Sequence, residues 1–210
     1  SLDVIASVTD ISGMTAEDTL NIQIENINDA PVLQEIGDLE TDEDIPLVIT
    51  LSVDDADGDI LTFTVESDNE SVAVSLVDDQ LTMSPALNFN GAVAITITVT
   101  DTEGAMDSET FILTVNAVND SPLIAAIADT LTAEDTPLVL MLEAIDVDEG
   151  ELIFDAVSNS PSDVSVVVSG DILTMTPAEE FHGSVLITVT VTDEGGLSDD
   201  TDFILTVDPV

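Results

Sequence analysis

A period of about 91 residues runs through this chain and limits its possible folds more than any other feature. Asn28-Asp29-Ala30-Pro31 returns as Asn119-Asp120-Ser121-Pro122. Thr41-Asp42-Glu43-Asp44-Ile45-Pro46 returns as Thr132-Ala133-Glu134-Asp135-Thr136-Pro137. Leu81-Thr82-Met83-Ser84-Pro85-Ala86 returns as Leu173-Thr174-Met175-Thr176-Pro177-Ala178, one position later than the first two pairs, so a residue is inserted between Phe154 and Leu173. A Val-Thr-Asp triplet closes at Asp10, Asp101 and Asp193. Residues 28–118 and 119–210 thus form two complete repeats, each long enough to bury a core, while residues 1–27 match only the last quarter of one.

Within a repeat the hydrophobic period is two, the strand signature. Val93, Ile95, Ile97 and Val99 alternate with Ala94, Thr96, Thr98 and Thr100, and Val185, Ile187, Val189 and Val191 form the matching row. Leu47, Ile49, Leu51 and Val53 make another row, as do Phe111, Leu113 and Val115, whose counterparts are Phe203, Leu205 and Val207 and also Leu20, Ile22 and Ile24. Val, Ile and Thr suit a pleated, half-buried surface. About seven such runs per repeat are separated by Asp, Gly, Pro and Asn turns, and no stretch has a helical period. The expected fold is all-β: tandem, seven-stranded, Greek-key Ig-like β-sandwiches. Residues 1–27 would supply only the last two strands of a preceding sandwich, leaving Val4, Val8, Leu20 and Ile22 without an opposing sheet.

The 210 residues carry 45 carboxylates, no lysine or arginine, and one histidine. This is no disordered acidic tail, since 44% of the residues are hydrophobic. The charge excludes phosphate-binding partners such as nucleic acid and anionic lipid. No apolar run approaches the roughly 20 residues of a membrane-spanning helix, and without cysteine there is neither disulfide nor thiolate chemistry. No signal peptide is visible, and the chain opens in mid-pattern like an excised fragment. Two carboxylates about 4 Å apart repel by roughly 1–4 kcal/mol. Clusters such as Asp54, Asp55, Asp57 and Asp59 therefore need wide spacing in water or a divalent cation.

Strand order then places the acids. If strands A to G alternate in direction, strand B (45–53) delivers Asp55, Asp57 and Asp59 to one end. Strand F (92–100) delivers Asp101 to the same end. Strand G (109–116) returns to the other end, near Glu43 and Asp44, and leads into Asn119-Asp120. Oxygen-rich loops of this kind suit calcium, which takes six to eight oxygen ligands.

These residues resemble the cadherin-like repeats of large bacterial surface adhesins. Val189-Thr190-Val191-Thr192-Asp193-Glu194-Gly195-Gly196-Leu197-Ser198-Asp199 is similar to the end of a cadherin repeat, and Asn26-Ile27-Asn28-Asp29-Ala30-Pro31 to a cadherin linker one residue shorter. Asp55-Ala56-Asp57 and Asp146-Val147-Asp148 stand at that family's paired aspartates, and Glu43 and Glu134 near its first-loop glutamate. The resemblance implies calcium at the repeat junctions, held by Glu43, Asn119, Asp120, Asp146, Asp148 and Asp193, and in the preceding junction by Asn28, Asp29, Asp55, Asp57 and Asp101 with Asp59 added. Asn88-Phe89-Asn90-Gly91 and Glu180-Phe181-His182-Gly183 replace the acidic motif of animal cadherins, which implies one or two ions rather than three.

The implied role is a calcium-stiffened extension segment of a secreted or cell-surface adhesin, with neighbouring repeats as partners. An adhesion module for a homophilic or carbohydrate ligand is the alternative, its specificity sought at residues 64–80 and 155–172, where the repeats differ most. The chain has no Trp or Tyr to stack on sugars. Other acids, among them Glu66, Asp79 and Asp163, read as solvated surface. Asp55-Ala56-Asp57-Gly58-Asp59 has its glycine in the wrong place for an EF-hand. His182 takes the slot of Asn90, which makes it a turn residue, and the six repeat-matched phenylalanines read as core. No residue set suggests an enzyme.

Overall fold

The computed structural model describes residues 2–25, 27–148 and 150–210. The chain divides into two compact units between Asn116 and Ala117. The first unit opens with a hairpin, β1 (Leu2–Thr9) and β2 (Thr15–Ile22), and continues with β3 (Val32–Leu33), β4 (Leu39–Asp42), β5 (Leu47–Thr50), β6 (Val53–Asp54), β7 (Thr62–Ser67), β8 (Val72–Val77), β9 (Gln80–Pro85), β10 (Gly91–Thr100) and β11 (Met106–Asn116). The second has β12 (Leu123–Ile124), β13 (Thr130–Ala133), β14 (Leu138–Met141), β15 (Ala144–Ile145), β16 (Ile153–Ser158), β17 (Val164–Ser169), β18 (Ile172–Pro177), β19 (Gly183–Thr192) and β20 (Ser198–Asp208). Among the described residues there is no helix.

The nine segments of a repeat are seven strands, two of them broken. Strand A is β3 plus β4, strand B is β5 plus β6, interrupted at Leu51-Ser52 where the sequence suggested an unbroken run over 45–53, and β7 to β11 are strands C to G. One sheet joins β5, β9 and β8, with β3 pairing on β6; the other runs β4-β11-β10-β7. Strand A therefore starts on one sheet and ends on the other, where β4 lies parallel to β11. Unit 2 repeats this plan strand for strand. The extra residue of the second repeat falls in the C–D turn, which runs from Ser67 to Val72 in one copy and from Ser158 to Val164 in the other.

The period-two rows form the cores. Val93, Ile95, Ile97 and Val99 are at most 1% exposed and pack with Leu81, Met83, Phe111 and Leu113 of unit 1. The equivalents in unit 2 enclose a separate core with Phe203, Leu173 and Met175. Phe63, Phe89, Phe154 and Phe181 pack partly buried against these cores. His182 is exposed in the turn before β19.

Strand A's change of sheet leaves backbone N–H groups near β11 to be satisfied, and carboxylates accept them. Asp107 accepts the N–H of Leu33 at 2.9 Å, and Asp38 that of Ile112 at 2.9 Å. In unit 2, Asp199 accepts from Ile124 and Asp129 from Ile204. Asp44, at φ 63°, accepts the N–H of Asn88, and Asp135 does the same for Glu180. Several acids that the sequence presents as solvated surface are thus fixed acceptors. A chain without basic side chains still has backbone donors, and a charge-assisted bond to one is stronger than a neutral bond.

Candidate metal centre

In unit 1 the end of strand F, the B–C loop and residues 28–29 converge. Asp101 is 6% exposed and begins the F–G turn. Its Oδ1 accepts the N–H groups of Glu103, Gly104 and Ala105 at 2.7–2.9 Å, and its Oδ2 accepts the Asn28 amide at 2.7 Å. The next residue, Asp29, donates its backbone N–H to Asp57 Oδ2 at 2.7 Å. Asp55 folds the B–C loop around itself, accepting on Oδ1 from the N–H groups of Asp57, Gly58 and Asp59.

That arrangement commits one oxygen of Asp55 and leaves the other. Asp55 Oδ2 is buried and has no hydrogen-bond partner among the described residues. Carboxylate oxygens of Asp55, Asp57 and Asp59 lie within 4.8 Å of one another. Three carboxylates so close, one presenting a lone buried oxygen, could hold a hard divalent cation, which takes oxygen ligands of this kind. A buried acceptor left bare is costly, and an ion removes that cost.

Unit 2 builds the same frame. Asn119 donates to Asp193 Oδ2 at 2.8 Å, the N–H of Asp120 donates to Asp148 Oδ2 at 2.7 Å, and that of Asp148 donates to Asp146 Oδ1 at 3.0 Å. Asp193 Oδ1 accepts from Leu197 N–H at 2.8 Å. The loop sequence differs, however: Gly150 stands where unit 1 has Asp59, and Glu149 where it has Gly58. A methyl added at Gly150 would sit 3.6 Å from Cγ of Glu194, so a carboxylate from the F–G turn lies over the position. Glu194 replaces Thr102 of unit 1 while Gly195 replaces Glu103, so the F–G turn keeps one glutamate and moves it by one position.

Asp101 and Asp193 at the F–G turns, and Asp10 at the β1–β2 turn, are held below the ordinary aspartate value. For Asp101 the Asn28 amide is the main cause, aided by the turn N–H groups and opposed by burial. At Asp193 burial pushes upward, but Asn119 and the N–H groups of Leu197, Gly196 and Gly195 outweigh it. Asp10 is lowered by the Ser12 hydroxyl and then by backbone N–H groups of Met14 and Ser12.

Of the residues singled out in the sequence, Asn28, Asp29, Asp55, Asp57, Asp59 and Asp101 come together in unit 1, and Asn119, Asp120, Asp146, Asp148 and Asp193 in unit 2. Glu43 belongs to unit 1, where its N–H donates to Asn116 O at 2.9 Å and its side chain is 5% exposed. Asn26 of the linker resemblance lies outside the described residues.

The fold and the carboxylate-lined ends define a class: tandem Ig-type β-sandwich repeats. The family model for the bacterial Ig domain matches residues 28–114 and again 119–206, and the chain belongs to that family. Among solved structures it is similar to mouse cadherin-23 EC22-24, at 20% identity and TM-score 0.55, covering 99% of this chain and 74% of that one. It is also similar to human protocadherin-24 EC1-2, at 17% identity and TM-score 0.55, covering 86% of this chain and all of the other. For the human desmocollin-1 ectodomain the figures are 15% and 0.53, covering 99% of this chain and 47% of that one. These likenesses concern the fold. A search of the curated proteins finds no match.

Proposed function

We propose that each sandwich binds calcium through its B–C loop, F–G turn and preceding residues, and that the repeats extend and stiffen a secreted or surface-attached bacterial adhesin. The observation that carries this is the buried, unpartnered Asp55 Oδ2 among three clustered carboxylates. In unit 1 the ligands would be Asp55, Asp57, Asp59, Asp101 and Asn28-Asp29. In unit 2 they would be Asp146, Asp148, Asp193 and Asn119-Asp120, with Glu194 added from the F–G turn. Glu43 is proposed as a further ligand on the cadherin resemblance alone. Calcium would cancel the mutual repulsion of these acids, so the ion-free chain bends where the loaded chain is rigid. The same reading takes residues 1–27 as strands F and G of a further sandwich, with repeats at 28–118 and 119–210.

Affinity should fall near ~10⁻⁴–10⁻³ M, as in extracellular calcium modules. At 1 mM calcium a site of about 10⁻⁴ M adds about 1.4 kcal/mol, or roughly 5–10 °C in melting temperature for a domain of this size. Calorimetric titration should count the ions, and Asp55→Asn should remove one. A melting temperature indifferent to millimolar calcium would sink the metal. A maximum dimension in solution scattering that chelator leaves unchanged would sink the stiffening while sparing the site.

A further inference from the structure

The two sandwiches share a core but not an outer face. On the outside of the sheet formed by strands B, E and D, unit 2 presents Val139, Met141 and Ile145 along strand B, flanked by Leu123, Val167 and Ile172. Met141, Ile145 and Val167 are each more than 60% exposed. At the matching positions of unit 1 stand Val48, Thr50, Asp54, Val32, Ser75 and Gln80. At these positions six apolar residues replace a set in which only two are apolar, while Ser169 replaces the exposed Val77 of unit 1. Because β14 and β15 keep one alternation through Leu142, which is 3% exposed, these side chains lie on a single surface. Thr174 lies between Val139 and Val167 on this face, yet exposed apolar residues gathered on one surface mark an interaction site more than single scattered ones do.

One charge interrupts it. Glu143 is exposed between Met141 and Ile145, where unit 1 has Ser52. Among the described residues nothing donates a hydrogen bond to its carboxylate. It also borders two shallow depressions, one lined with Ala125 and Met141 and the other with Leu123 and Ile145. An apolar trough ending at a carboxylate suits the stem and head of a lysine or arginine, whose methylenes cover apolar surface while the cation reaches the acid. A second copy of this chain has no lysine or arginine to offer. Stacked face to face it would instead oppose Glu143 with another glutamate.

We propose that the outer B–E–D face of unit 2 docks a protein partner whose apolar segment brings a lysine or arginine to Glu143. The proposal is independent of the metal reading, since none of these residues belongs to the loops at the carboxylate end.

The test uses the full chain and a synthetic peptide of alternating valine and lysine, with alternating serine and lysine as charge control. Amide shifts on titration should concentrate at residues 139–145 and 167–172 for the valine peptide alone. Met141→Thr, Ile145→Asp and Ile172→Gln together give unit 2 the residues unit 1 carries, so the fold should survive, as an unchanged melting temperature would check. They should weaken binding at least tenfold. Glu143→Ser, which disturbs no packing, should weaken it severalfold and flatten its salt dependence. Equal shifts in unit 1, equal binding by the serine peptide, or full affinity in the triple variant would overturn the proposal. So would a dimer of the unmodified chain that the triple variant disperses, because the face would then belong to a second copy.

Discussion

The hairpin β1–β2 and the hairpin β10–β11 are one structure in two settings. Leu2 pairs with Ile22 and Val4 with Leu20, as Val93 pairs with Leu113 and Ile95 with Phe111. The turns agree as well: Asp10 accepts from the N–H groups of Ser12 and Met14, and Asp101 from those of Glu103 and Ala105. In both, a glycine near φ +90° completes the turn, at Gly13 and Gly104, a conformation L side chains rarely adopt. Exposure is where they part. Val4 and Leu20 are 44% and 62% exposed, and Ile95 and Phe111 are 0% and 2%. Local pattern and turn chemistry make the hairpin, whereas burial depends on the sheet opposite. A two-stranded ribbon without such a sheet is marginal in water.

The largest expected effect separates those contributions. Phe111→Ala should destabilise unit 1 by about 3–5 kcal/mol, the range for a fully buried phenylalanine. Leu20→Ala, at the matched position, should stay within about 0.5 kcal/mol. Urea unfolding of the two variants measures both. If Leu20→Ala costs as much as Phe111→Ala, the apolar face of the first hairpin is covered in solution.

Next in size is the turn acid. Asp101→Ala removes the acceptor of three backbone N–H groups and the Asn28 amide in a buried setting. A clear drop in melting temperature is expected, since bonds to charged groups contribute more than neutral ones and the donors are left bare. Asp10→Ala opens a turn that is exposed throughout and should lower the melting temperature less. Equal losses would mean that the turn itself, and not its tie to Asn28, sets the stability.

Much of this was legible in the chain because β-sandwiches repeat at the period of the side chains. The rows from Val93 to Val99 and from Phe111 to Val115 marked the buried faces of strands F and G. The convergence of Asp55, Asp57 and Asp101 also followed, because strands B and F must run the same way. Three things were hidden. The break of strand B at Leu51-Ser52 leaves no mark, since Leu51 continues the apolar row. The use of Asp38, Asp107, Asp129 and Asp199 as acceptors for strand A depends on which backbone donors the change of sheet strands, a tertiary matter. The approach of Glu194 to Gly150 joins residues of two loops far apart in sequence.

A smaller effect compares the two complete copies at one turn position, Glu103 against Gly195. A methyl at Gly195 would fall 2.3 Å from Asn119 Oδ1, so the asparagine amide fills the space a side chain would take. Gly195→Ala must push Asn119 off Asp193, and a loss of about 1–2 kcal/mol is expected for a displaced bond to a charged group. Glu103→Gly should cost less, because Asn28 already reaches Asp101 with a side chain at that position. If Gly195→Ala leaves the melting temperature of unit 2 unchanged, Asn119 is not held where the structure places it.

The finest comparison is made by pH. A carboxyl whose folded pKa is lowered adds stability that is fully present above its unfolded value and is lost as pH falls through the folded one. Asp10, Asp101 and Asp193 therefore favour the fold at neutral pH and withdraw that support below the ordinary aspartate value of 3.8. Net self-repulsion of a chain with 45 carboxylates and no lysine or arginine works in the opposite sense, because it weakens as the net charge falls. The melting temperature should thus hold or rise as pH drops from 7 toward the carboxylate range, then fall below 3.8. Carboxyl titration by NMR separates the turns. Asn28→Ala should raise Asp101 toward the ordinary value, since the Asn28 amide is the chief cause of its lowering. Asp10, lowered instead by its own Ser12, should not move. An Asp101 that titrates unchanged without Asn28 would assign its lowering to the turn N–H groups, and the three copies would then differ only in burial.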